Sequence, residues 1–194
     1  MKIFKDNQRS AIIKRLILLL LAILIIFAAI NAVWYFGYQQ RYNRLSEHLD
    51  TKYIDDIEEK DMLRYFKDVD DYTITLKMPA YLGSGGFVSI ARTEGYVSQL
   101  DDNGNVIAGS EMYITLYIWP KYFSDYKLGL DFYDEVNSVW EQVELTSDME
   151  LMNTDTLDDE YIEYVNKLIS EHNTEITKLI DIAEKTLNID VGGN

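Results

Sequence analysis

The sequence contains no cysteine, and this absence excludes several kinds of chemistry at once. Disulfide bonds, thiolate zinc sites and cysteine nucleophiles all require that side chain. Small secreted domains of eukaryotes often depend on disulfides, so a cysteine-free outer domain of this size favours a bacterial envelope protein. The composition therefore predicts a bacterial domain that folds without covalent cross-links.

Histidine is almost as scarce, because only His48 and His172 occur in 194 residues. Neither lies in a pattern typical of serine-type catalysis or of a histidine metal site. The acidic turn 101–105 fails as a calcium loop, since the required glycine and bidentate glutamate are missing from the positions that follow. The glycine-rich stretch 83–86 matches no phosphate-binding spacing. We therefore predict no catalytic residues, no metal site and no cofactor, in a protein that is not an enzyme.

Basic residues are few outside the N-terminal segment. Residues 1–36 hold five basic residues and one acid, whereas the rest of the chain holds 13 basic and 32 acidic residues, a net charge of −19. A domain this acidic is repelled by nucleic acid and by anionic lipid headgroups. The charge distribution therefore predicts no nucleic-acid partner.

One long apolar run lies near the N-terminus. Residues 16–36 are 21 consecutive residues without a charge, and 14 of them are Leu, Ile, Phe or Val. At about 1.5 Å per residue, a helix of this length matches a hydrocarbon core of about 30 Å. The run is too long for a cleaved signal peptide and contains no Ala-x-Ala cleavage pattern. We therefore predict a membrane-spanning helix over residues 16–36, embedded in the lipid bilayer and preceded by a basic tail over residues 1–15.

The flanks of this helix predict its orientation. Five basic residues precede it and only three occur in the twenty residues that follow it. Basic flanks stay in the cytoplasm, so we expect a single-pass protein of the cell membrane with a cytoplasmic N-terminus and an extracytoplasmic domain. Aromatic residues at the outer end are typical of the membrane–water interface. We assign that role to Trp34, Tyr35 and Tyr38.

The segment 37–70 carries apolar residues at helical spacing. Tyr42, Leu45, Leu49, Tyr53 and Ile57 recur every three or four residues among charged side chains. This pattern is typical of an amphipathic helix. We therefore predict a juxtamembrane helical stalk over residues 37–70.

Beyond residue 70 the apolar period changes to two, which predicts strands. Alternating segments recur from Tyr72 to Leu145, and Asn103-Gly104 is typical of a hairpin turn. After them, a capping box at Thr156 and Asp159 opens an apolar stripe that continues to Leu187, which predicts one helix of about eight turns. The fold class is therefore α+β: an antiparallel β-meander of about seven strands packed with a long C-terminal helix, in a domain over residues 71–190. The sequence does not distinguish which face of the sheet this helix packs on.

The strand Glu111–Trp119 has apolar residues on one face and mostly aromatic residues on the other. Half-exposed aromatic rings are suited to stacking on a glycan or a peptide. The candidate binding surface consists of Tyr113, Tyr117, Trp119, Tyr133 and Trp140. The alternative interpretation is a semi-exposed aromatic surface that has no special role.

These features favour one function over two others. The first hypothesis is a non-enzymatic interaction module, anchored by one membrane helix, that binds another envelope protein as an accessory or binding subunit. The second is a sensor that binds a small ligand between sheet and helix. The third is a cell-wall hydrolase that uses a pair of carboxylates, although no positioned pair can be named. The oligomeric state is left open.

Overall fold

The chain begins with one long helical segment. The computed structural model describes residues 2–54, 62–83, 85–94, 98–100, 106–109, 112–123, 125–134 and 137–191. Helix α1 covers Lys2–Trp34, and a π-helical turn over Tyr35–Gln39 and helix α2 over Gln40–Ser46 follow without a loop between them. Within the described residues, one helix, Ile12–Ser46, is long and apolar enough to cross a membrane. Every side chain from Ile12 to Ile30 is exposed.

The described residues contain nine β-strands. Seven form one antiparallel sheet in the order β1-β2-β3-β4-β7-β8-β9, and β5 pairs with β6 in a separate ladder. The sheet is a meander, because strands next to each other in space follow each other in sequence apart from this one insertion. The strands are β1 Asp50–Ile54, β2 Met62–Val69, β3 Tyr72–Lys77, β4 Phe87–Arg92, β5 Ser98–Leu100, β6 Val106–Gly109, β7 Tyr113–Pro120, β8 Tyr126–Asp134 and β9 Val139–Leu145.

Two helices cover one face of this sheet. A 3-10 turn at Thr154–Thr156 leads to α3 Asp159–Glu171 and α4 Asn173–Leu187. Helix α4 packs on β4 and β7. Full burial of a Leu or Ile side chain contributes about 1.5–3 kcal/mol, so this interface supplies most of the apolar stabilisation. Its buried side chains include Ile74, Leu76, Val88, Ile90, Leu116, Leu130 and Phe132 of the sheet and Val165, Leu168, Ile176 and Leu179 of the helices.

The π-helical turn and helix α2, at the C-terminal end of the N-terminal helical segment, pack into the same core. Tyr42 is 0% exposed and its hydroxyl donates a hydrogen bond of 2.7 Å to the Gly86 carbonyl. The Arg41 guanidinium donates to the backbone carbonyls of Lys121 at 2.6 Å and Asp125 at 3.3 Å. The helix is therefore fixed to the β3–β4 loop and the β7–β8 loop, both of which lie at the same end of the sheet.

The predicted α+β class is confirmed, since a long apolar N-terminal helix precedes a seven-stranded antiparallel sheet and C-terminal helices. The stalk predicted over residues 37–70 is helical only as far as Ser46, and β1 and β2 follow. The physical reason is strand pairing: Phe66 pairs with Thr75 and Asp50 pairs with Phe66, so contacts distant in sequence override a local helical period. The sheet therefore begins at Asp50, ahead of the predicted domain start at residue 71.

The predicted single C-terminal helix is two helices that meet at His172, whose φ and ψ of −107° and 13° are not helical. The N-cap is Asp158 instead of Thr156, because the Asp158 carboxylate accepts a hydrogen bond of 2.7 Å from the Tyr161 amide. The ring of His172 lies 6.3 Å from that of buried Phe132, as a packing residue. The strands on either side of the predicted Asn-Gly turn do pair, as β5 and β6, while the turn lies outside the described residues.

Candidate functional site

The sheet presents two chemically different faces. Residues of β7 alternate between the helix-covered side, where Ile114, Leu116 and Ile118 are buried, and the opposite side. The strand register aligns Tyr113 with Tyr133 and Tyr133 with Trp140 on that opposite side. All five residues predicted for the binding surface therefore share the face that the C-terminal helices leave open. We define the aromatic face as Phe87, Tyr113, Tyr117, Trp119, Tyr133 and Trp140.

The centre of the aromatic face is a row of three packed rings. The rings of Tyr117 and Trp119 lie almost parallel, with centroids 5.6 Å apart and planes at 13°. Phe87 of β4 meets Tyr117 edge-on at 5.5 Å. Trp119 lies across the backbone of Gly129, where an added Cβ would come within 2.6 Å of the ring. A side chain at this position would lift the indole from the sheet, so the glycine permits the flat arrangement.

Charged side chains flank this row of rings. The Lys127 ammonium lies 5.3 Å from the Trp119 ring centroid and forms an ion pair of 2.5 Å with Glu144. On the other side, the Lys77 ammonium lies 5.8 Å from the Phe87 ring centroid. Cations over aromatic faces are attracted by the ring quadrupole. The row therefore has apolar rings in the middle and ionic groups at both ends, an arrangement typical of interaction surfaces.

A carboxylate sits inside the aromatic face. Asp131 of β8 pairs in register with Thr115 and Gln142. One of its oxygens, Oδ1, is buried and has no hydrogen-bond partner among the described residues. Burial raises the pKa of the Asp131 carboxyl, and a hydrogen bond from Trp140 offsets part of that rise. Burial, followed by the Asp131 charge, also raises the pKa of Tyr117. The carboxylate is thus held in an unfavourable site with one oxygen left for a further donor.

The remaining members lie at the end of the face opposite the β7–β8 loop. The Tyr113 hydroxyl donates to the Arg92 carbonyl at 3.2 Å. Trp140 is 76% exposed, although it is a large apolar side chain. A tryptophan this exposed gains little from folding, so its area remains for contact with another molecule.

Three residues of this face were absent from the sequence-based surface: Phe87, Gly129 and Asp131. Two of them carry a signal in the sequence. An isolated glycine inside a strand indicates a close approach to its backbone, and Gly129 lies between Leu128 and Leu130. Aspartate is depleted in strand interiors, which singles out Asp131. Phe87 has no such signal, because its contact with Tyr117 results from the pairing of β4 with β7.

The residues predicted for the membrane interface have separate environments. Tyr35 is exposed, and Trp34 is partly buried with its Nε1 donating to the Gly83 carbonyl at 3.2 Å. Tyr38 differs from the prediction, because it is 3% exposed and stacks on Tyr122 at 4.7 Å. Its place in the domain core leaves it no access to lipid, since the domain packs directly on this part of the helix.

A polar cleft of about 600 Å³ lies at the distal end, between the sheet and the start of α4. Its central groups already bind one another: Arg92 and Tyr72 both contact the Glu175 carboxylate, at 3.2 Å and 2.7 Å. The Lys178 ammonium lies 4.5 Å from the Tyr72 ring centroid. Among the described residues, no group of three His, Asp or Glu side chains is placed to hold a metal ion.

No protein-family model matches the chain, and no curated protein or solved structure is similar enough to match it.

Proposed function

We propose that the protein is a single-pass, membrane-anchored interaction module of the bacterial envelope. In this proposal the basic N-terminus lies in the cytoplasm and the acidic domain lies outside the cell membrane. The aromatic face binds a second envelope protein, for which this chain is an accessory subunit. The observation that supports this function is the combination, on one uncovered face, of packed aromatic rings with a buried carboxylate oxygen that lacks a donor.

The free-energy cost of leaving Asp131 Oδ1 without a hydrogen-bond donor supports a binding role for this residue. A buried polar atom without a partner costs about 1–3 kcal/mol. The sheet would fold with an asparagine, threonine or apolar residue at this position, since the helix-covered face supplies the core. A partner that donates a hydrogen bond to Oδ1 would recover this cost on binding, so the site favours the bound state over the free one.

The chemistry of the face indicates the chemistry of the partner. Aromatic residues and arginine are enriched at the centres of protein interfaces, where the rings supply apolar area. Asp131 requires a donor, and the net charge of −19 on the outer part of the chain attracts a basic surface. We therefore expect an apolar patch that contains one arginine or lysine, with that side chain placed on Asp131.

Site-specific photocrosslinking in cells that carry the protein tests this proposal. A benzophenone amino acid replaces Gln142, which is exposed and pairs with Asp131 in register. The matched control places it at Asn166, which is exposed on α3. We expect one membrane protein crosslinked from position 142 and not from 166, with lysine or arginine in the crosslinked peptide. Asp131→Asn should weaken the capture by about tenfold or more, since a charge-assisted hydrogen bond is worth about 1.5–3 kcal/mol.

Two results would overturn the proposal that the aromatic face binds a protein. Identical products from positions 142 and 166 would mean that the aromatic face has no preference. A carbohydrate adduct from position 142 would instead make the face a glycan platform, which the stacked Tyr117 and Trp119 rings also suit.

The orientation is tested separately with single cysteines, because the chain has none of its own. A membrane-impermeant maleimide should label Asn137→Cys in intact cells, since Asn137 is exposed at the distal end of the domain. Asp6→Cys, in the basic tail, should react only after the membrane is opened. The reverse pattern would place the acidic domain in the cytoplasm.

A small-ligand sensor is a second candidate, favoured by the cleft that Tyr72, Arg92, Glu175 and Lys178 line. Its volume suits a small polar ligand. However, a ligand has to displace the existing contacts of Glu175 with Arg92 and Tyr72. The aromatic face has no such competition at Asp131 Oδ1, and we therefore place it first.

A further inference from the structure

Two loops at the helix-bound end of the sheet expose large apolar side chains. The β3–β4 loop carries Tyr81 and Leu82, which are 62% and 42% exposed. The β7–β8 loop carries Tyr122 and Phe123, which are 43% and 68% exposed. We call these four residues the apolar collar. Four such side chains at one end of an acidic domain form a patch of the kind that marks an interaction surface.

The apolar collar is attached to the helix at its apolar end. The Tyr81 hydroxyl donates a hydrogen bond to the Asn31 side-chain oxygen. The Phe123 amide donates to the Gly37 carbonyl at 3.1 Å, and the Phe123 ring fills the space where a Gly37 Cβ would lie. An apolar cleft between loops and helix is lined by Ala29, Ile30, Val33, Trp34, Leu82 and Tyr122. The collar residues therefore lie beside helix residues 29–37.

Helix length sets the depth of these residues in a membrane. Lys14 and Arg15 are the last charges before the apolar run. A hydrocarbon core of about 30 Å needs a helix of about 20 residues. If this helix enters the core at Leu16, the outer boundary of the core lies near Tyr35. The Tyr81 hydroxyl binds Asn31, four residues earlier, whereas the Phe123 amide binds the Gly37 carbonyl, two residues later. At about 1.5 Å per residue, the β3–β4 loop then reaches about 6 Å inside that boundary, and the β7–β8 loop lies within about 3 Å of it.

Polar groups mark the next level above the collar. Arg41 binds the carbonyls of Lys121 and Asp125, and both of those side chains are exposed. Arg44 is exposed one helical turn further on. Arg41, Arg44 and Lys121 stand at this level with one acid, Asp125, in a domain that is acidic as a whole, so anionic headgroups repel this end less than the rest.

The backbone of the two loops gives an independent indication. Leu82 has a φ of 56° and Phe123 a φ of 53°. Bulky residues rarely adopt this left-handed conformation, which glycine and asparagine adopt at lower cost. An apolar side chain at each of these exposed positions is unfavourable for the domain in water, and becomes favourable when lipid covers it.

We infer that the apolar collar inserts into the outer leaflet beside the membrane helix, so that the domain rests on the bilayer through a second, loop-borne contact. The occupant of this surface is phospholipid. The inference rests on the proposed membrane anchor, and the experiment below separates the two.

Fluorescence quenching in vesicles tests the insertion. The full chain is reconstituted into vesicles of phosphatidylcholine and phosphatidylglycerol, with part of the phosphatidylcholine carrying an acyl-chain nitroxide. An environment-sensitive dye is attached to Leu82→Cys or Phe123→Cys, in a chain that has no other cysteine. Asn137→Cys is the exposed control at the opposite end, and Ile23→Cys reports the anchor. Tyr81→Cys and Tyr122→Cys serve as replacements for a variant that fails to fold, as judged by circular dichroism.

Insertion brings a dye within reach of acyl-chain quenchers, so position 82 should lose more than about half of its emission and position 123, nearer the boundary, a smaller share. Position 23 should also be quenched, and position 137 should be unaffected. Quenching at 23 without quenching at 82 and 123 would overturn the inserted collar and leave the anchor intact. Absence of quenching at position 23 would overturn the anchor and the collar together. Leu82→Asn, which suits the left-handed backbone, should reduce the quenching at position 123 without loss of the fold.

Discussion

The two faces of the seven-stranded sheet differ in the type of side chain they carry and in how far those side chains are buried. The face under α3 and α4 carries aliphatic side chains and Phe132, all buried, and α4 packs on it. The opposite face carries six aromatic residues, charged side chains at its edges and the partly buried Asp131 carboxyl, whose Oδ1 has no donor among the described residues. The buried aliphatic core therefore lies on one face. The proposed partner accounts for the composition of the other face.

The largest difference between the faces is expected from adjacent residues of β7. Leu116 is 0% exposed, so Leu116→Ala should lower the free energy of unfolding by about 2–5 kcal/mol through lost burial and a cavity. Tyr117→Ala, on the aromatic face, should cost less, because this ring is only partly buried and its ring contacts add about 0.5–1.5 kcal/mol to the lost burial. Urea unfolding of the full chain in detergent, followed by circular dichroism, measures both. Equal losses would mean that both faces stabilise the fold, and the comparison would fail.

A smaller effect is expected where Trp119 lies on the sheet. Gly129→Ala places a Cβ 2.6 Å from the ring and 3.2 Å from the Val143 carbonyl, and should cost about 1–3 kcal/mol by overpacking. Gly85→Ala is the matched control, because nothing lies within 4 Å of its added Cβ. Near-ultraviolet circular dichroism should report the displaced indole in the Gly129 variant alone. An unchanged spectrum would show that the ring is not held as described.

Asp131→Asn should raise the free energy of unfolding, whereas the preceding substitutions lower it. Its raised pKa means that the folded state binds the proton more tightly than the unfolded state. The stabilisation from protonation is therefore present below the ordinary aspartate pKa of about 3.9 and is lost as pH rises through the folded value. Asp131→Asn removes the charge and should be more stable than the wild type at neutral pH, by about 1 kcal/mol. The advantage should shrink as pH falls, as measured by urea unfolding across the acidic range. A variant that is less stable at neutral pH would contradict the unfavourable carboxylate.

The smallest effect on folding is expected at Trp140. Because this side chain is 76% exposed, Trp140→Phe should change the free energy of unfolding by less than about 0.5 kcal/mol. It also removes the hydrogen bond to Asp131, so the carboxyl pKa should rise further, which NMR titration of that carboxyl measures. Capture of the partner from position 142 should weaken in the same variant. A large loss of stability with unchanged capture would assign Trp140 to the fold instead of the site.

Local sequence patterns predicted those features of the fold that depend on residues close together in the sequence. The alternation in β3 and β7 identifies strands, and the same alternation separates Tyr113, Tyr117 and Trp119 from the aliphatic residues between them. The predicted helix beyond Ser46 was wrong because strand pairing is a contact between distant residues. Tyr53 pairs with Leu63 on β2, and a spacing of three and four residues around Tyr53 does not encode that contact.

The candidate site was predictable in its members and not in its organisation. Which aromatic residues share a face follows from a period of two along each strand. That Phe87 meets Tyr117, or that Trp119 covers Gly129, follows from the register between strands, which the turns and the core set together. The burial of Asp131 depends on side chains from three strands, so no single segment of sequence contains it. The position of Tyr38 likewise depends on Tyr122, which is 84 residues away.

The helical run from Lys2 to Ser46 ends in the domain core, and this bears on how the proposed anchor and the proposed partner would meet. The strands extend about 30 Å from the loops that bind the helix, for the nine residues of β8 at about 3.4 Å each. In the proposed membrane setting, this short reach keeps the aromatic face close to the bilayer. A partner that diffuses in the same bilayer would then meet the face by lateral motion, at an effective concentration above that of a molecule free in the medium. Recognition in that setting is an encounter in two dimensions.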